Sequence, residues 1–295
     1  MSGVCRLFGM SGGEQALSAG FWLLQAPDAL VVQSHREPDG TGLGAFAPDG
    51  TPIVDKQPLA AYADREFAKE AKTVRSRTFV AHIRYASTGG LVAQNTHPFE
   101  QDGRLFAHNG VIEGLPALEA ELGDALALVK GDTDSERFFA LITRRIREGA
   151  DVGEAITAAA DWIAKNCPVY ALNCILITPT ELWAFRYPDT HDLFLLERDA
   201  GGHRGNAPLD HSGKPHEMRV RSEKLAEHPA VVVASEPMSS DPGWQPMASG
   251  ELVHVDPDLN VTRTMVLKDP PAHPLSLADL GLKAAASQAP SAPGQ

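Results

Sequence analysis

The stretch "TDSERFFALITRRIREGADVGEAITAAADWIAKNCPVYALNCILI", residues 133–177, decides the fold class. Thr133 followed by Glu136 is a capping-box start, in which each side chain satisfies the other residue's backbone amide. Phe138, Phe139, Leu141, Ile142 and Ile146 then recur at the spacing of one helical face. A second start follows at Asp151, with Glu154 at the third position, and opens the helix "DVGEAITAAADWIAKNC". Pro168 closes the helical pattern, and 169–177 ("VYALNCILI") reads as a strand. Two helices in succession, followed by a strand, are not the strand-helix alternation of a doubly wound parallel sheet.

Strands flank this centre on both sides. Residues 29–33, 43–46 and 78–83 precede it, separated by Gly, Pro and Asp turns. Residues 181–186, 192–197, 230–235, 251–256 and 261–267 follow it. Strands, two helices, then strands again predict an α+β protein with helices packed on antiparallel sheets. Residues 5–267 are expected as a single domain. Residues 200–216 ("AGGHRGNAPLDHSGKPH") are expected as a long surface loop. From 268 the chain is expected to be a largely disordered tail, ending in the Pro/Ser/Ala-rich "SQAPSAPGQ".

The 295 residues suffice for a substantial core. The net charge of −12, without a basic run, argues against nucleic-acid and anionic-membrane partners. Cys5, Cys167 and Cys174 are an odd set without CxxC spacing, which fits neither a disulfide scaffold nor a structural zinc site. A cytoplasmic location is expected, since no signal peptide is visible. The early apolar stretch "GFWLLQAPDALVV" is broken by Gln25, Pro27 and Asp28, so it does not read as a membrane span.

Four stretches could carry chemistry: "MSGVCRLFG" with Cys5, "HIRYASTGG" with Arg84, "LFAHNGVIEG" with Asn109-Gly110, and the acidic helix start "GDTDSE". Each also has a purely structural reading. A lone cysteine is usually a small buried apolar residue. Asn-Gly suits a type I′ hairpin turn. "TDSE" need only start a helix. Taken together they form a chemical set. Cys5 offers a thiolate nucleophile. The Asn109 side-chain amide and the Gly110 backbone N–H are a donor pair of the oxyanion-hole kind. Arg84 offers a fork for a carboxylate, and Asp134 a counter-charge for an ammonium group. A carboxylate and an ammonium on one small substrate mean an amino acid. No side chain stands out as general base. The α-amine of Cys5 would serve if Cys5 were the first residue, because its pKa of roughly 7.7–8.0 lies near working pH.

With these residues in place, the chain resembles the class II glutamine amidotransferases of the N-terminal-nucleophile hydrolase superfamily. The matching segments are "CRLFG" (5–9), "HREPDGTG" (35–42), "AHIRYASTGG" (81–90), "NTHPF" (95–99), "AHNGVIEG" (107–114) and "TDSE" (133–136), in family order. The region 233–255 resembles the stand-alone branch that includes the γ-glutamyl hydrolase of ergothioneine biosynthesis. The resemblance implies a four-layer αββα sandwich of two antiparallel sheets. It implies that Cys5 attacks the glutamine side-chain amide, forms a γ-glutamyl thioester and releases ammonia, after which water releases glutamate. It places Asn109 and Gly110 in the oxyanion hole, and Arg84, with Tyr85 and Ser87 beside it, on the α-carboxylate. His108 is placed at the substrate site, Asp134 on the α-amino group, and Arg36 and Asp39 in a loop shaping the pocket. No cofactor and no metal are implied, and the substrate is a small molecule.

Two features depart from the family. "MSGV" precedes Cys5, where the family has only the initiator methionine. A start at Val4, read from a GTG codon, is the expected explanation; a cleaved leader, or a glutamine-binding pseudoenzyme, are the others. No acceptor-domain pattern follows in this sequence, so an ammonia acceptor would be a separate protein. The alternative within the enzyme class is hydrolysis of a γ-glutamyl amide of a small metabolite. A metal enzyme built on His82, His97 and His108 lacks HxH or HExxH spacing.

Overall fold

Period-two burial organises this chain: successive strand residues face opposite sides, so each sheet presents two different surfaces. The computed structural model describes residues 5–34, 40–84, 90, 92–200 and 228–288. Among them lie two sheets of seven strands each. The first carries β1 (Arg6–Ser11), β2 (Gly40–Phe46), β3 (Pro52–Gln57), β4 (Thr78–Arg84), β9 (Phe194–Arg198), β10 (Ala230–Ala234) and β11 (Gln245–Pro246), in the order β11-β9-β10-β1-β4-β2-β3. The second holds β5 (Phe99–Gln101), β6 (Arg104–Ile112), β7 (Pro168–Ile177), β8 (Leu182–Arg186), β12 (Glu251–Val255) and β13 (Val261–Met265), in the order β13-β12-β8-β7-β6-β5. The pairings within these two orders are antiparallel, and β14 (His273–Pro274) joins β7 in parallel.

Three buried layers result. Leu7, Val80 and Val233 of the first sheet meet Ala107, Ile175 and Val253 of the second in the core between the sheets. The opposite face of the first sheet, with Phe8, Phe79 and Val232, packs on helices α1 (Gly20–Leu24), α2 (Leu30–Gln33) and α3 (Arg65–Thr73). The opposite face of the second, with Phe106, Leu172 and Phe185, packs on α4 (Leu115–Leu122), α5 (Asp134–Arg147) and α6 (Val152–Asn166). This is the expected α+β sandwich with helices outside both sheets. Each fully buried Phe or Leu in these layers contributes about 1.5–3 kcal/mol.

Both long helices start as the sequence predicts. The Thr133 hydroxyl accepts from the Glu136 amide at 3.2 Å, although the Glu136 carboxylate takes the Gly131 amide instead of completing the box. Asp151 and Glu154 form the full reciprocal box. Residues 29–33, expected as a strand, form the single helical turn α2. Leu30 is buried against the first sheet while Val32 is half exposed, so the segment caps a core edge, and among the described residues it pairs with no strand. The Asn109-Gly110 pair is not a turn: β6 runs straight through it, with Asn109 opposite Asn173 of β7.

Glycine has one structural duty in β2 that the sequence does not announce. A Cβ on Gly42 would lie 1.9 Å from the His97 carbonyl oxygen, so the bare strand lets the His97-Pro98 segment cross it closely. The region expected as a disordered tail folds back as far as Gln288. β14 pairs with Pro168 and Val169, Leu280 is buried, and α7 (Leu282–Gln288) follows. The loop expected over 200–216 falls, from 201 onward, outside the described residues, as do residues 1–4 and 289–295. Among the described residues no helix is long and apolar enough to cross a membrane.

Candidate active site

Strand parity brings the site together. In β4, Val80 faces the inter-sheet core, so His82 and Arg84 point the same way two and four residues on. In β1, Leu7 faces that core, which puts Cys5 on the same side. β1 and β4 pair Arg6 with Ile83, so continuing the register sets Cys5 beside Arg84. In β6, Leu105 and Ala107 face the core, and Asn109 follows them. Three separate sequence stretches thus deliver inward side chains to one end of the sandwich.

Cys5, Arg84, His108, Gly110 and Asp134 line one cavity, together with His82 and His97. Of the sequence-predicted residues, these five meet there, and Asn109 joins them through Cys5. The Asn109 amide nitrogen donates to the Cys5 carbonyl oxygen at 2.9 Å, fixing the main chain at Cys5. One N–H of that amide is committed to this bond. The Arg84 guanidinium donates to the Gly90 carbonyl at 3.2 Å and is 4% exposed. Arg36, Asp39, Tyr85 and Ser87 lie outside the described residues.

The N-terminus of α5 closes one wall. Asp134 accepts from the Ile112 amide at 2.8 Å, which ties the helix start to the end of β6. His108 bridges the same elements: its Nδ1 lies 2.9 Å from the Ser135 hydroxyl and its Nε2 3.1 Å from the Ala171 carbonyl. A carbonyl only accepts, so Nε2 carries the proton and Nδ1 takes the Ser135 hydroxyl hydrogen. Burial lowers the His108 pKa, with Asp134 opposing, so the ring is neutral at pH 7. Both ring nitrogens are engaged, and His108 holds β6, β7 and α5 in register. Gly110 is equally constrained, since a Cβ there would stand 1.9 Å from the Ala171 oxygen.

His82 and His97, weighed in the sequence as metal ligands, lie side by side in the cavity wall. Their rings sit 4.3 Å apart and are buried, and none of their four nitrogens has a hydrogen-bond partner. Burial, then the Arg84 charge, pulls His82 down to about 3. Burial, then His82, pulls His97 well below the ordinary value. The alternation of "TFVAHIR" was the available signal, because it puts His82 on the face of Val80. Among the described residues no cluster of His, Cys, Asp or Glu is arranged to hold a metal ion.

Comparison with known proteins agrees with this geometry. The profile of "Glutamine amidotransferases class-II" matches residues 4–274. A gamma-glutamyl-hercynylcysteine sulfoxide hydrolase of Mycobacterium tuberculosis is 30% identical over 268 residues, covering 85% of this chain and 93% of the relative. An uncharacterized protein of Methanocaldococcus jannaschii is 29% identical over 230 residues, 75% of this chain; the match spans 62% of that protein. A glutamine–fructose-6-phosphate aminotransferase of Gluconobacter oxydans is 27% identical over 157 residues, and only 24% of its length is covered. Among solved structures, the glutamine phosphoribosylpyrophosphate amidotransferase of B. subtilis superposes with a TM-score of 0.61 at 20% identity, over 90% of this chain and 50% of that one. A glutamine aminotransferase class-II domain protein from Silicibacter pomeroyi gives 0.59 at 18% identity, over 88% and 99%. These structural likenesses carry the N-terminal-nucleophile hydrolase fold, and the sequence match carries the family. A Cys5 pinned by Asn109 beside Arg84, Gly110 and Asp134, on this fold and under this profile, places the chain in the class II glutamine amidotransferases, a family of amide-hydrolysing enzymes.

Proposed function

We propose that the chain hydrolyses a γ-glutamyl amide through Cys5, with glutamine as the simplest substrate. The observation that carries this reading is the bond from Asn109 to the Cys5 carbonyl, in a cavity that also holds Arg84 and Asp134. Arg84 takes the substrate α-carboxylate and Asp134 the α-ammonium, which aims the γ-carbonyl at Cys5. The thiolate sulfur attacks that carbon. The second Asn109 N–H and the Gly110 backbone N–H receive the oxyanion. The C–N bond breaks, the amine leaves with a proton, and a thioester forms. Water then adds to the thioester carbonyl, the C–S bond breaks, glutamate is released and the Cys5 thiol is regenerated. The base is the α-amine of Cys5, so the active form begins at Cys5. Tyr85, Ser87, Arg36 and Asp39 complete the pocket by family resemblance.

A second reading concerns the leaving group. Relatives matched over nearly their full length are γ-glutamyl hydrolases by name, which favours a larger amide and water as acceptor. The aminotransferase matches, with a quarter of each relative covered, favour glutamine and an acceptor enzyme on a separate cytoplasmic protein.

The test is a substrate panel of glutamine and larger γ-glutamyl amides, with glutamate release as readout, on protein whose N-terminal peptide has been sequenced. Cys5→Ala is expected to abolish turnover and keep the fold. Turnover by Cys5→Ala would refute the mechanism, and full activity in protein beginning at Met1 or Ser2 would remove the α-amine from it. Preference within the panel separates the two readings.

A further inference from the structure

Gln288 reaches the Cys5 cavity from the far end of the chain and has no place in the mechanism. Gln288 ends α7, yet it is 1% exposed and lines the same cavity as Cys5, Arg84 and Asp134. Its Oε1 accepts from His191 Nε2 at 2.6 Å. With Gln288 seated, about 20 Å³ of the cavity stays open, which is room for roughly one water. A γ-glutamyl group cannot share that space.

The segment leading to Gln288 is docked along its length. The Leu275 amide donates to the Val169 carbonyl at 2.8 Å. Leu280 is buried on Val111, Tyr170 and Ala171, the strand residues flanking Gly110, and Ala284 and Ala285 lie against the same patch. The docking is shallow. Leu282 is 94% exposed, and α7 spans seven residues. A helix that short has no stability of its own in water and depends on this contact.

We infer that Leu280–Gln288 is a pseudosubstrate strap: Gln288 fills the substrate cavity with a glutamine side chain, and substrate enters by displacing it. This rests on the γ-glutamyl reading for what the cavity binds. The strap carries the same carboxamide as glutamine, but its α-nitrogen and α-carbonyl are locked in peptide bonds. It therefore offers Asp134 no ammonium and Arg84 no carboxylate. A free γ-glutamyl compound supplies both charges, so it outcompetes the strap despite the strap's high local concentration. Peptides and amides lacking the free α-groups would not.

The test uses two full-chain variants. Gln288→Ala empties the cavity, and Ala284→Glu unseats α7 from the Val111–Tyr170 patch. The first readout is the rate of Cys5 alkylation by iodoacetamide, followed by peptide mass spectrometry with Cys167 and Cys174 as buried references. The second is KM and kcat for glutamine and a larger γ-glutamyl amide. Both variants are expected to alkylate at least about fivefold faster, and to lower KM by a similar factor at unchanged kcat. That factor corresponds to an open fraction of about one fifth or less in the parent chain. A synthetic peptide, LGLKAAASQ with its C-terminus amidated so that it offers no carboxylate, added to Ala284→Glu should slow alkylation again. Unchanged alkylation and KM in both variants would overturn the strap while leaving the hydrolase reading standing. Faster alkylation in a protein that hydrolyses no member of the panel would uphold the strap and refute the hydrolase reading.

Discussion

Acidification should destabilise this protein through His82 and His97, and the size of the effect follows from their burial. Both rings are buried and without hydrogen-bond partners, and both pKa values are depressed, His82 to about 3. In the unfolded chain each returns to about 6.5. A folded-state pKa below the unfolded one means that the unfolded chain binds the proton first. Stability is therefore intact above about pH 6.5 and is lost as pH falls from there toward the folded value. Between about pH 7.5 and pH 5, one such histidine removes about 2 kcal/mol, and the pair about 4. Against a typical total of about 5–15 kcal/mol, that is a large fraction. His108 and His191 are shifted in the same direction and add to it. The assay is urea unfolding at both pH values, on the parent and on His97→Met. Methionine keeps apolar bulk against Phe99, whose ring lies 4.6 Å from that of His97, and it does not titrate. Carboxylates contribute equally to both proteins and cancel in the comparison. The variant is expected to lose about 2 kcal/mol less than the parent over this range. Equal losses would show that His97 is protonated, or solvated, in the folded state.

Two substitutions probe the site walls. Asp134→Asn keeps an acceptor for the Ile112 amide but removes the charge, so it should fold and bind substrate more weakly by about 1.5–3 kcal/mol. Unchanged KM and kcat would remove Asp134 from the substrate site. Gly110→Ala would bring a Cβ to 1.9 Å from the Ala171 oxygen and 2.7 Å from His108 Nε2, forcing β6 and β7 apart. A loss of about 1–3 kcal/mol in urea unfolding is expected, the usual range for overpacking, and a variant as stable as the parent would refute the close approach.

Local chemistry made much of the fold legible. The helix starts at Thr133 and Asp151 are backbone amides satisfied by side chains three residues away, and such contacts are written in the sequence. The strands of 169–177 and 181–186 were equally legible, because a run of apolar residues broken by turn residues needs a sheet on at least one face. Cys5, Arg84, Asn109, Gly110 and Asp134 were read as a set because their functional groups would suit one amino-acid substrate, and the fold brings them together. The short turn at 30–33 misled the period reading, since four residues cannot distinguish a helical face from a strand. The tail was read from its Pro/Ser/Ala-rich end, "SQAPSAPGQ", and the docking of the segment before it depends on the patch at Val111, Tyr170 and Ala171, which lies far away in sequence.

By itself, then, the sequence determined which segments are strands and helices and which residue types could make a γ-glutamyl site. Tertiary structure decided their meeting. Strand parity turned Cys5, His82, Arg84 and Asn109 toward one end of the sandwich, and Gly42 let the His97 segment cross β2. Packing also stripped water from two imidazoles and seated Gln288 beside Cys5. Each of these depends on what lies opposite a residue in space, and residues more than a hundred positions apart, such as Cys5 and Asn109, become neighbours only when the two sheets close on their common core.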